Sequence, residues 1–474
     1  MKPKRPLVEA LIKFQKQEPI SFHVPGHKNG ELSMLPQGMR SALAYDFTEL
    51  TGLDDFHYPQ EAIKEAEELL SEVYGTDQSF FLVNGSTVGN LAMVYAVCEE
   101  GDVVIVQRNS HKSIFHALEL TKVKPVYIMP EWDERSKSAI GIALEDIRTA
   151  VAQYPAAKAV ILTYPNYYGM AAADMEEVIS FCHSQGIPVL VDEAHGAHFQ
   201  IGSPYPFSAL TAGADVVVHS AHKTLPAMTM GSFLHGKGNL VDRKKIKKYL
   251  RMLQSSSPSY LIMASLDDAR AFVQSYAPED IRNFEEKRTQ FLDSLAAIPR
   301  LEVFQSDDPL KVMLRIPGYS GFQLQKCLEN VKIYAELTDL YQVMLILPLL
   351  KKTQTYPFAE IRSRIKEAVH SALTETPETV SVKMPIKQGK ISVPELSFEE
   401  IETTDGEWIL YTEALGRISA AMVVPYPPGI PLILPGEKWN VAKLEQLMDY
   451  LATGAQIQGE HRLAEKLICV VPRQ

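Results

Sequence analysis

The sequence predicts an α/β fold with a mainly parallel sheet in its first half, followed by two smaller domains. Between about residues 60 and 240, helix-like and strand-like segments alternate. The strand-like segments are continuous Val/Ile/Leu runs, a pattern typical of parallel strands that helices cover on both faces. After about residue 280 the helices become longer and polar-faced and the strands short, which indicates a smaller α+β domain.

Hydrophobic periodicity predicts the individual elements of the large domain. Helices are expected at 59–75, 87–99, 112–121 and 175–186, and strands at 79–84, 102–107, 124–129, 159–165, 187–193 and 215–220.

The second domain follows a different order. We expect a helix at 280–299, a strand–turn–strand at 301–318, a helix running into a strand at 320–339, a strand at 344–350 and a helix at 358–373. A proline-punctuated stretch at 374–400 marks a boundary. The predicted organisation is an N-terminal segment (1–50), a large domain (51–280), a small α+β domain (281–373) and a C-terminal domain (374–474).

Length and charge exclude several classes of protein. With 474 residues the chain is too long for a single hydrophobic core, which agrees with several domains. The formal net charge of −11 gives no general attraction to nucleic acid or to an anionic membrane. The basic run DRKKIKKYLR (242–251) is interpreted as the solvated face of a helix. We therefore expect no nucleic-acid partner.

Cysteine usage and the N-terminus predict a cytoplasmic protein. The four cysteines are far apart and form no CxxC pair, which favours reduced, buried thiols. The first twenty residues lack the apolar core and cleavage site of a signal peptide. No stretch approaches the ~20 apolar residues that a membrane-spanning helix needs, so no membrane partner is expected.

The chemistry-bearing residues follow the ends of the predicted strands, where ligands bind in open α/β sheets. In VNGSTVGN (83–90), Gly85 offers a flexible turn, and Ser86 and Thr87 place hydroxyls at a helix start that favours an anion such as phosphate. Taken alone, such residues are more often a helix cap. The stretch matches neither GxxxxGK[ST] nor GxGxxG, which disfavours nucleoside triphosphates and dinucleotides.

Asp192 ends the strongly apolar strand in VLVDEAHGAH (189–198) and needs a cationic or hydrogen-bonding partner there. A metal site formed by Asp192, Glu193, His195 and His198 is one alternative. However, the spacing is not HExxH and no distant ligand cluster completes the set, so we expect no metal.

Two further strand ends carry basic groups. His111 follows the strand at 102–107, and Ser220, His222 and Lys223 follow the strand at 215–220. Each alone is most simply a solvated loop residue. Together with the phosphate-type helix start and the buried carboxylate, they match what pyridoxal 5′-phosphate needs: an anion site, a carboxylate for the ring nitrogen and a lysine for the aldehyde.

At these residues the sequence resembles the Orn/Lys/Arg decarboxylases, bacterial pyridoxal-phosphate enzymes of fold type I that act on basic amino acids. The resemblance implies a mainly parallel, seven-stranded type of sheet and the short form of the family, without an N-terminal wing domain. The matching stretches are FHVPGHKNG (22–30), ELTGLDD (49–55), FFLVNGSTVGN (80–90), VQRNSHKS (106–113), VLVDEAHGAH (189–198), SAHKTLPAMTMGSFLH (220–235), LQSSSPSY (253–260) and VPYPPGIPLILPGE (424–437).

The resemblance also implies roles for individual residues. Lys223 would attach the cofactor, Asp192 would pair with its ring nitrogen, and His111 would stack on the ring. The remaining implied residues are Gly85, Ser86, Thr87 and Ser220 at the phosphate, His222 and His195 in catalysis, and His27 and Glu437 at the substrate.

The implied activity is decarboxylation of arginine, lysine or ornithine to CO2 and an amine that feeds polyamine synthesis. A homodimer, or a higher oligomer built from dimers, is implied as well. Two alternatives remain open at this stage. One is an aminotransferase or other Cα chemistry on the same fold, and the other is a catalytically silent regulatory homologue.

Overall fold

The computed structural model describes residues 3–172, 174–377, 389–426, 429–452 and 456–473. The predicted boundary stretch 374–400 lies partly outside these ranges.

The described helices in chain order are α1 (Pro6–Gln15), α2 (Gln37–Arg40), α3 (Ala62–Tyr74), α4 (Gly85–Val97), α5 (Lys112–Thr121), α6 (Leu144–Gln153), α7 (Met175–Ser184), α8 (Ala209–Ala212), α9 (Ala221–Thr224), α10 (Arg243–Leu253), α11 (Tyr260–Gln274), α12 (Pro278–Ala296), α13 (Gly321–Asn330), α14 (Phe358–Ala372), α15 (Phe398–Glu402) and α16 (Val441–Ala452).

The described strands are β1 (Gln78–Leu82), β2 (Val103–Gln107), β3 (Lys124–Ile128), β4 (Trp132–Asp133), β5 (Ser138–Ala139), β6 (Ala159–Thr163), β7 (Val189–Asp192), β8 (Val216–His219), β9 (Ser232–Gly236), β10 (Glu302–Gln305), β11 (Lys311–Arg315), β12 (Leu337–Thr338), β13 (Val343–Ile346), β14 (Ile391–Ser392), β15 (Glu407–Leu410), β16 (Val424–Tyr426), β17 (Gln456–Gln458), β18 (His461–Arg462) and β19 (Leu467–Val470).

The chain divides into two compact units. The first unit comprises Met1–Cys98 and Met175–Ala277, and the second comprises Glu99–Asp174 and Pro278–Gln474. The four-part domain organisation predicted from the sequence follows different boundaries and stays a prediction.

Strands of the first unit lie in the order β1-β9-β8-β7. Strand β8 runs parallel to β7, with Asp192 opposite Val218, whereas β9 runs antiparallel to both β8 and β1. All residues of β7, β8 and β9 are buried. For β7 and β8, the continuous apolar runs in the sequence predicted this burial. Strand β9 was not predicted, because its five residues include only two large apolar side chains.

The second unit contains several sheets. Its strands β6-β2-β3 are parallel, and β14 pairs antiparallel with β3. The antiparallel sheet β10-β11-β13-β12 packs its apolar side chains with those of α12, α13 and α14 into one core. Near the C-terminus, β15-β19-β18 and α16 share a second core. The strand–turn–strand predicted at 301–318 is confirmed as β10 and β11.

The starts of helices α3 and α4 differ from the prediction. Helix α3 begins at Ala62 rather than at residue 59, because the Asp54 carboxylate accepts the N–H groups of Gln60, Glu61 and Ile63 and ends the preceding loop there. Helix α4 begins at Gly85, two residues earlier than predicted. Within the described ranges, no helix is long and apolar enough to span a membrane.

Candidate active site

The carboxylate of Asp192 lies at the carboxyl end of β7, where only 3% of the residue is exposed. The Asn90 side-chain amide donates to its Oδ2 at 2.8 Å, and the Ala194 N–H donates to its Oδ1 at 3.1 Å. Both of these donors are neutral. A buried carboxylate with neutral donors is best balanced by a cation, which a protonated pyridine ring would supply.

The first turn of α4 is the candidate anion site. Gly85 adopts φ +76°, a conformation that few other residues adopt, and so allows the chain to turn directly from the loop into the helix. The Asn84 side chain at the N-cap makes no capping hydrogen bond. Ser220 Oγ donates to Ser86 Oγ at 2.8 Å, and Thr87 is exposed. Hydroxyls beside an uncapped helix N-terminus suit a phosphate group.

Lys223 belongs to α9, the short helix that follows β8. Its Nζ lies 3.0 Å from Nε2 of His195, so these two predicted residues are in hydrogen-bond contact. His222, the preceding residue, donates from Nδ1 to the Gly231 carbonyl at 2.9 Å. That bond places the proton of a neutral His222 on Nδ1 and leaves Nε2 as the basic nitrogen.

These groups fit pyridoxal 5′-phosphate. The cofactor offers a dianionic phosphate, a basic ring nitrogen and an aldehyde, and the first unit supplies one group of matching chemistry for each. They are the α4 start with Ser86 and Ser220, the buried Asp192 carboxylate, and the Lys223 amine.

Other predicted site residues have different surroundings. His27 accepts the Gly30 N–H at Nδ1, at 3.1 Å, and donates from Nε2 to Asp46 at 3.2 Å. His111, in the second unit, is the N-cap of α5, and its Nδ1 accepts from the N–H and the hydroxyl of Ser113. The substrate role expected for His27 and the stacking role expected for His111 stay predictions.

Glu437 is held inside the second unit by two cations. Arg108 donates to both of its carboxylate oxygens at 2.6 Å, and Lys443 Nζ lies 3.1 Å from Oε2. Burial alone would raise the pKa of Glu437, but the charge and hydrogen bonds of Arg108 and the charge of Lys443 lower it from 4.5 to about 2. A carboxylate already paired in this way is poorly suited to bind a substrate cation, so these contacts argue against the substrate role expected for Glu437.

The residues of the alternative metal site, Asp192, Glu193, His195 and His198, contact different partners. Glu193 pairs with His219, and His198 is buried against the rings of Phe199 and Tyr205. Among the described residues, no group of three or more His, Cys, Asp or Glu side chains could hold a metal ion.

Sequence reasoning missed two sets of polar contacts in the first unit. Asn90 lies in an apolar helix run, and nothing local indicates that its amide reaches Asp192. Glu193, His219 and His235 form a buried hydrogen-bonded chain in the first unit. The signal available for this chain is a polar residue at or directly after the end of two apolar runs, His219 in β8 and Glu193 after β7, whereas His235 lies in a strand without such a run.

Together, the sheet and the lysine–carboxylate–anion site define a pyridoxal-phosphate enzyme of fold type I. The solved lysine decarboxylase LdcF of Francisella novicida superposes with a TM-score of 0.77 over 99% of this chain and 81% of its own, at 19% identity, which supports the fold alone.

Family models identify the chain more closely. The model for the Orn/Lys/Arg decarboxylase major domain matches residues 5–307, and that for the family's C-terminal domain matches residues 366–461. The uncharacterized protein YaaO of Bacillus subtilis is 44% identical over 98% of both chains. Arginine decarboxylase of the same organism is 33% identical over 99% of this chain and 98% of its own. The chain belongs to the Orn/Lys/Arg decarboxylase family and is a pyridoxal-phosphate-dependent amino acid decarboxylase.

Proposed function

We propose that this protein removes the α-carboxylate of arginine and releases agmatine, an amine that is a precursor of polyamines. The groups around Asp192 and Lys223 support the cofactor site, and the family match over residues 5–307 supports decarboxylation. Arginine is favoured over lysine and ornithine because arginine decarboxylases 31–34% identical to this chain match 93–99% of it. The lysine decarboxylase LdcA of Pseudomonas aeruginosa is 25% identical to this chain, and the match covers 75% of the length of LdcA.

Each residue of the site has a separate task in this proposal. Ser86, Ser220 and the N–H groups of α4 bind the phosphate. Asp192 holds a proton on the ring nitrogen, because its buried carboxylate is stabilised by a positive partner. Lys223 is the point of covalent attachment. When bound, the cofactor supplies a protonated ring that withdraws the electron pair left on Cα.

Decarboxylation needs one proton per turnover. The bond between Cα and the carboxylate breaks, CO2 leaves, and Cα takes a proton in its place. Lys223 Nζ is the proposed donor, and His195, 3.0 Å away, orients this amine. His222 is the second candidate, because its Nδ1 bond to Gly231 leaves Nε2 as the nitrogen that would carry and release a proton.

We also propose that the enzyme acts as a homodimer in the cytoplasm. Exposed apolar side chains in the N-terminal segment support a covered surface there; they include Phe22 (95% exposed) and Met34 (101%). Four free cysteines, three of them buried, support a reducing compartment.

A panel assay tests the proposed activity. Purified enzyme with pyridoxal phosphate is given arginine, lysine or ornithine separately, and CO2, amine and keto acid are quantified. We expect CO2 and agmatine in equal amounts from arginine, with no keto acid. Cadaverine or putrescine as the main product would reassign the substrate. Keto acid without CO2 would indicate an aminotransferase, and cofactor absorbance without turnover would indicate a silent homologue.

A further inference from the structure

The side chains of Asp192 and Glu193 lie on opposite faces of the sheet in the first unit. Asp192 lies opposite Val218 in the parallel register, and successive side chains of a strand alternate between faces. Asp192 therefore lies on the α4 face, where Asn90 reaches it. Glu193 lies on the other face, with His219, the last residue of β8.

On that second face, a chain of hydrogen bonds crosses the ends of four strands. Glu193 Oε2 lies 3.1 Å from His219 Nε2, and His219 Nδ1 lies 3.1 Å from His235 Nε2. His235 Nδ1 lies 2.7 Å from Ser79 Oγ, which lies 2.7 Å from Thr76 Oγ1. Glu193, His219 and His235 are fully buried.

Burial determines which groups of this hydrogen-bonded chain carry protons. Burial lowers the pKa of His235 well below its usual value, so its ring is neutral and carries one N–H. Tyr74 of α3 stacks on that ring, with centroids 4.6 Å apart. A consistent arrangement has Ser79 donating to His235, His235 donating to His219, and His219 donating to the Glu193 carboxylate. Every shared proton in this arrangement has one donor and one acceptor.

Besides β7 and β8, Glu193 also contacts helix α8. Its Oε2 accepts the Ser208 hydroxyl at 2.8 Å, and its carboxylate accepts the Ala209 N–H at the first turn of α8. The Glu193 backbone N–H donates to the Val218 carbonyl at 3.0 Å. One buried side chain thus joins the ends of β7 and β8 to the start of α8.

We propose that Glu193 and His219 are positioning residues for the cofactor. Glu193 follows Asp192, the proposed partner of the ring nitrogen, and His219 precedes Ser220, the proposed partner of the phosphate. The Glu193–His219 hydrogen bond fixes the separation of these two anchors from the opposite face of the sheet. The inference rests on the roles proposed above for Asp192 and Ser220.

Replacing Glu193 tests this proposal. In Glu193→Ala we expect the dissociation constant of pyridoxal phosphate, measured by titrating the apoenzyme, to rise roughly tenfold, the scale on which loss of a supporting hydrogen bond weakens a ligand site. The visible circular dichroism of the bound cofactor changes, and kcat falls by a similar factor. Glu193→Gln is expected to restore the dissociation constant, the visible circular dichroism and kcat to within about threefold of wild type. Its amide can donate to His219 if every hydrogen bond of the buried chain reverses its donor and acceptor.

Two further variants keep the test decisive. Glu193→Asp retains the charge but is one methylene too short to reach His219. We expect it to show the effects of Glu193→Ala in weaker form, and it serves as the test variant if Glu193→Ala does not fold. Ser79→Ala, at the far end of the same buried chain, is the matched control. It lowers the thermal unfolding midpoint but leaves the cofactor affinity and visible spectrum unchanged.

The proposal is overturned if folded Glu193→Ala or Glu193→Asp binds the cofactor with wild-type affinity and spectrum, whatever its melting temperature. It is equally overturned if Ser79→Ala changes the cofactor spectrum as much as Glu193→Ala does. These measurements of cofactor binding remain valid if wild-type enzyme decarboxylates no basic amino acid, an outcome that would remove the proposed function alone.

Discussion

Substituting Glu437 by Gln separates a structural role of this carboxylate from a role in substrate binding. Burial would raise the pKa of Glu437, but the hydrogen bonds and charge of Arg108 and the charge of Lys443 outweigh it and lower this pKa from 4.5 to about 2. Since a tenfold change in proton affinity is worth about 1.4 kcal/mol, this shift corresponds to roughly 3 kcal/mol of stability at neutral pH. Breaking a buried ion pair by removing one partner costs about 3–5 kcal/mol, which agrees.

The pH dependence has a definite sign. A carboxyl group whose pKa is lowered by folding stabilises the protein above its unfolded-state value of 4.5, and this contribution is lost as the pH falls toward 2. The wild-type enzyme is therefore expected to exceed Glu437→Gln by roughly 3 kcal/mol at pH 7. The difference shrinks as the pH is lowered below 4.5.

Urea unfolding followed by tryptophan fluorescence measures this difference. All three tryptophans, Trp132, Trp408 and Trp439, lie in the second unit together with Glu437. The matched control is Glu395→Gln, which removes a half-exposed partner of Lys438 at 3.5 Å and is expected to cost less than about 1 kcal/mol.

Steady-state kinetics at a temperature where the variant is folded complete the test. We expect KM for the basic amino acid to stay within about threefold of wild type, since both oxygens of Glu437 are already engaged. The reasoning is refuted if Glu437→Gln is as stable as Glu395→Gln, or if KM rises tenfold or more with no loss of stability.

Three further predictions concern the first unit. Asp192→Asn is expected to retain the cofactor but to lower kcat by about 10²–10³, measured by CO2 release, because the ring nitrogen loses its charged partner; unchanged kcat would exclude that pairing. Ser220→Ala is expected to raise the cofactor dissociation constant about tenfold in apoenzyme titrations, through loss of one hydrogen bond to a charged group. Gly89→Ala places a Cβ 2.8 Å from Leu82 Cδ1 and 2.9 Å from Val218 Cγ1, and should lower stability by about 1–3 kcal/mol in thermal unfolding.

Hydrophobic runs were sufficient to predict the order of most helices and strands. Strands β2, β3, β6, β7 and β8 are each a short Val/Ile/Leu-rich run, so burial on both faces is visible in the sequence itself. Strand β9 was missed because Ser232–Gly236 contains only two large apolar residues and owes its conformation to pairing with β1 and β8.

From the sequence, site residues could be proposed only near the ends of predicted strands. Asp192 and Lys223 stood out because one charged side chain ends a buried strand and the other lies in the short helix after the next strand. The Glu193–His219 bond depends on the register of β7 against β8, which hydrophobic periodicity does not contain. Arg108, which contacts both carboxylate oxygens of Glu437, lies 329 residues away in the chain, so this ion pair could be seen only in three dimensions.

The central claim is that Lys223 attaches pyridoxal phosphate in an amino acid decarboxylase, and one labelling measurement tests it directly. The holoenzyme is reduced with borohydride, digested and analysed by mass spectrometry, and an untreated sample of the same preparation is assayed for CO2 release from arginine. We predict a phosphopyridoxyl group on Lys223 and on no other lysine, with CO2 release abolished by the reduction. A label on a different lysine, or full activity after complete reduction, would contradict the claim.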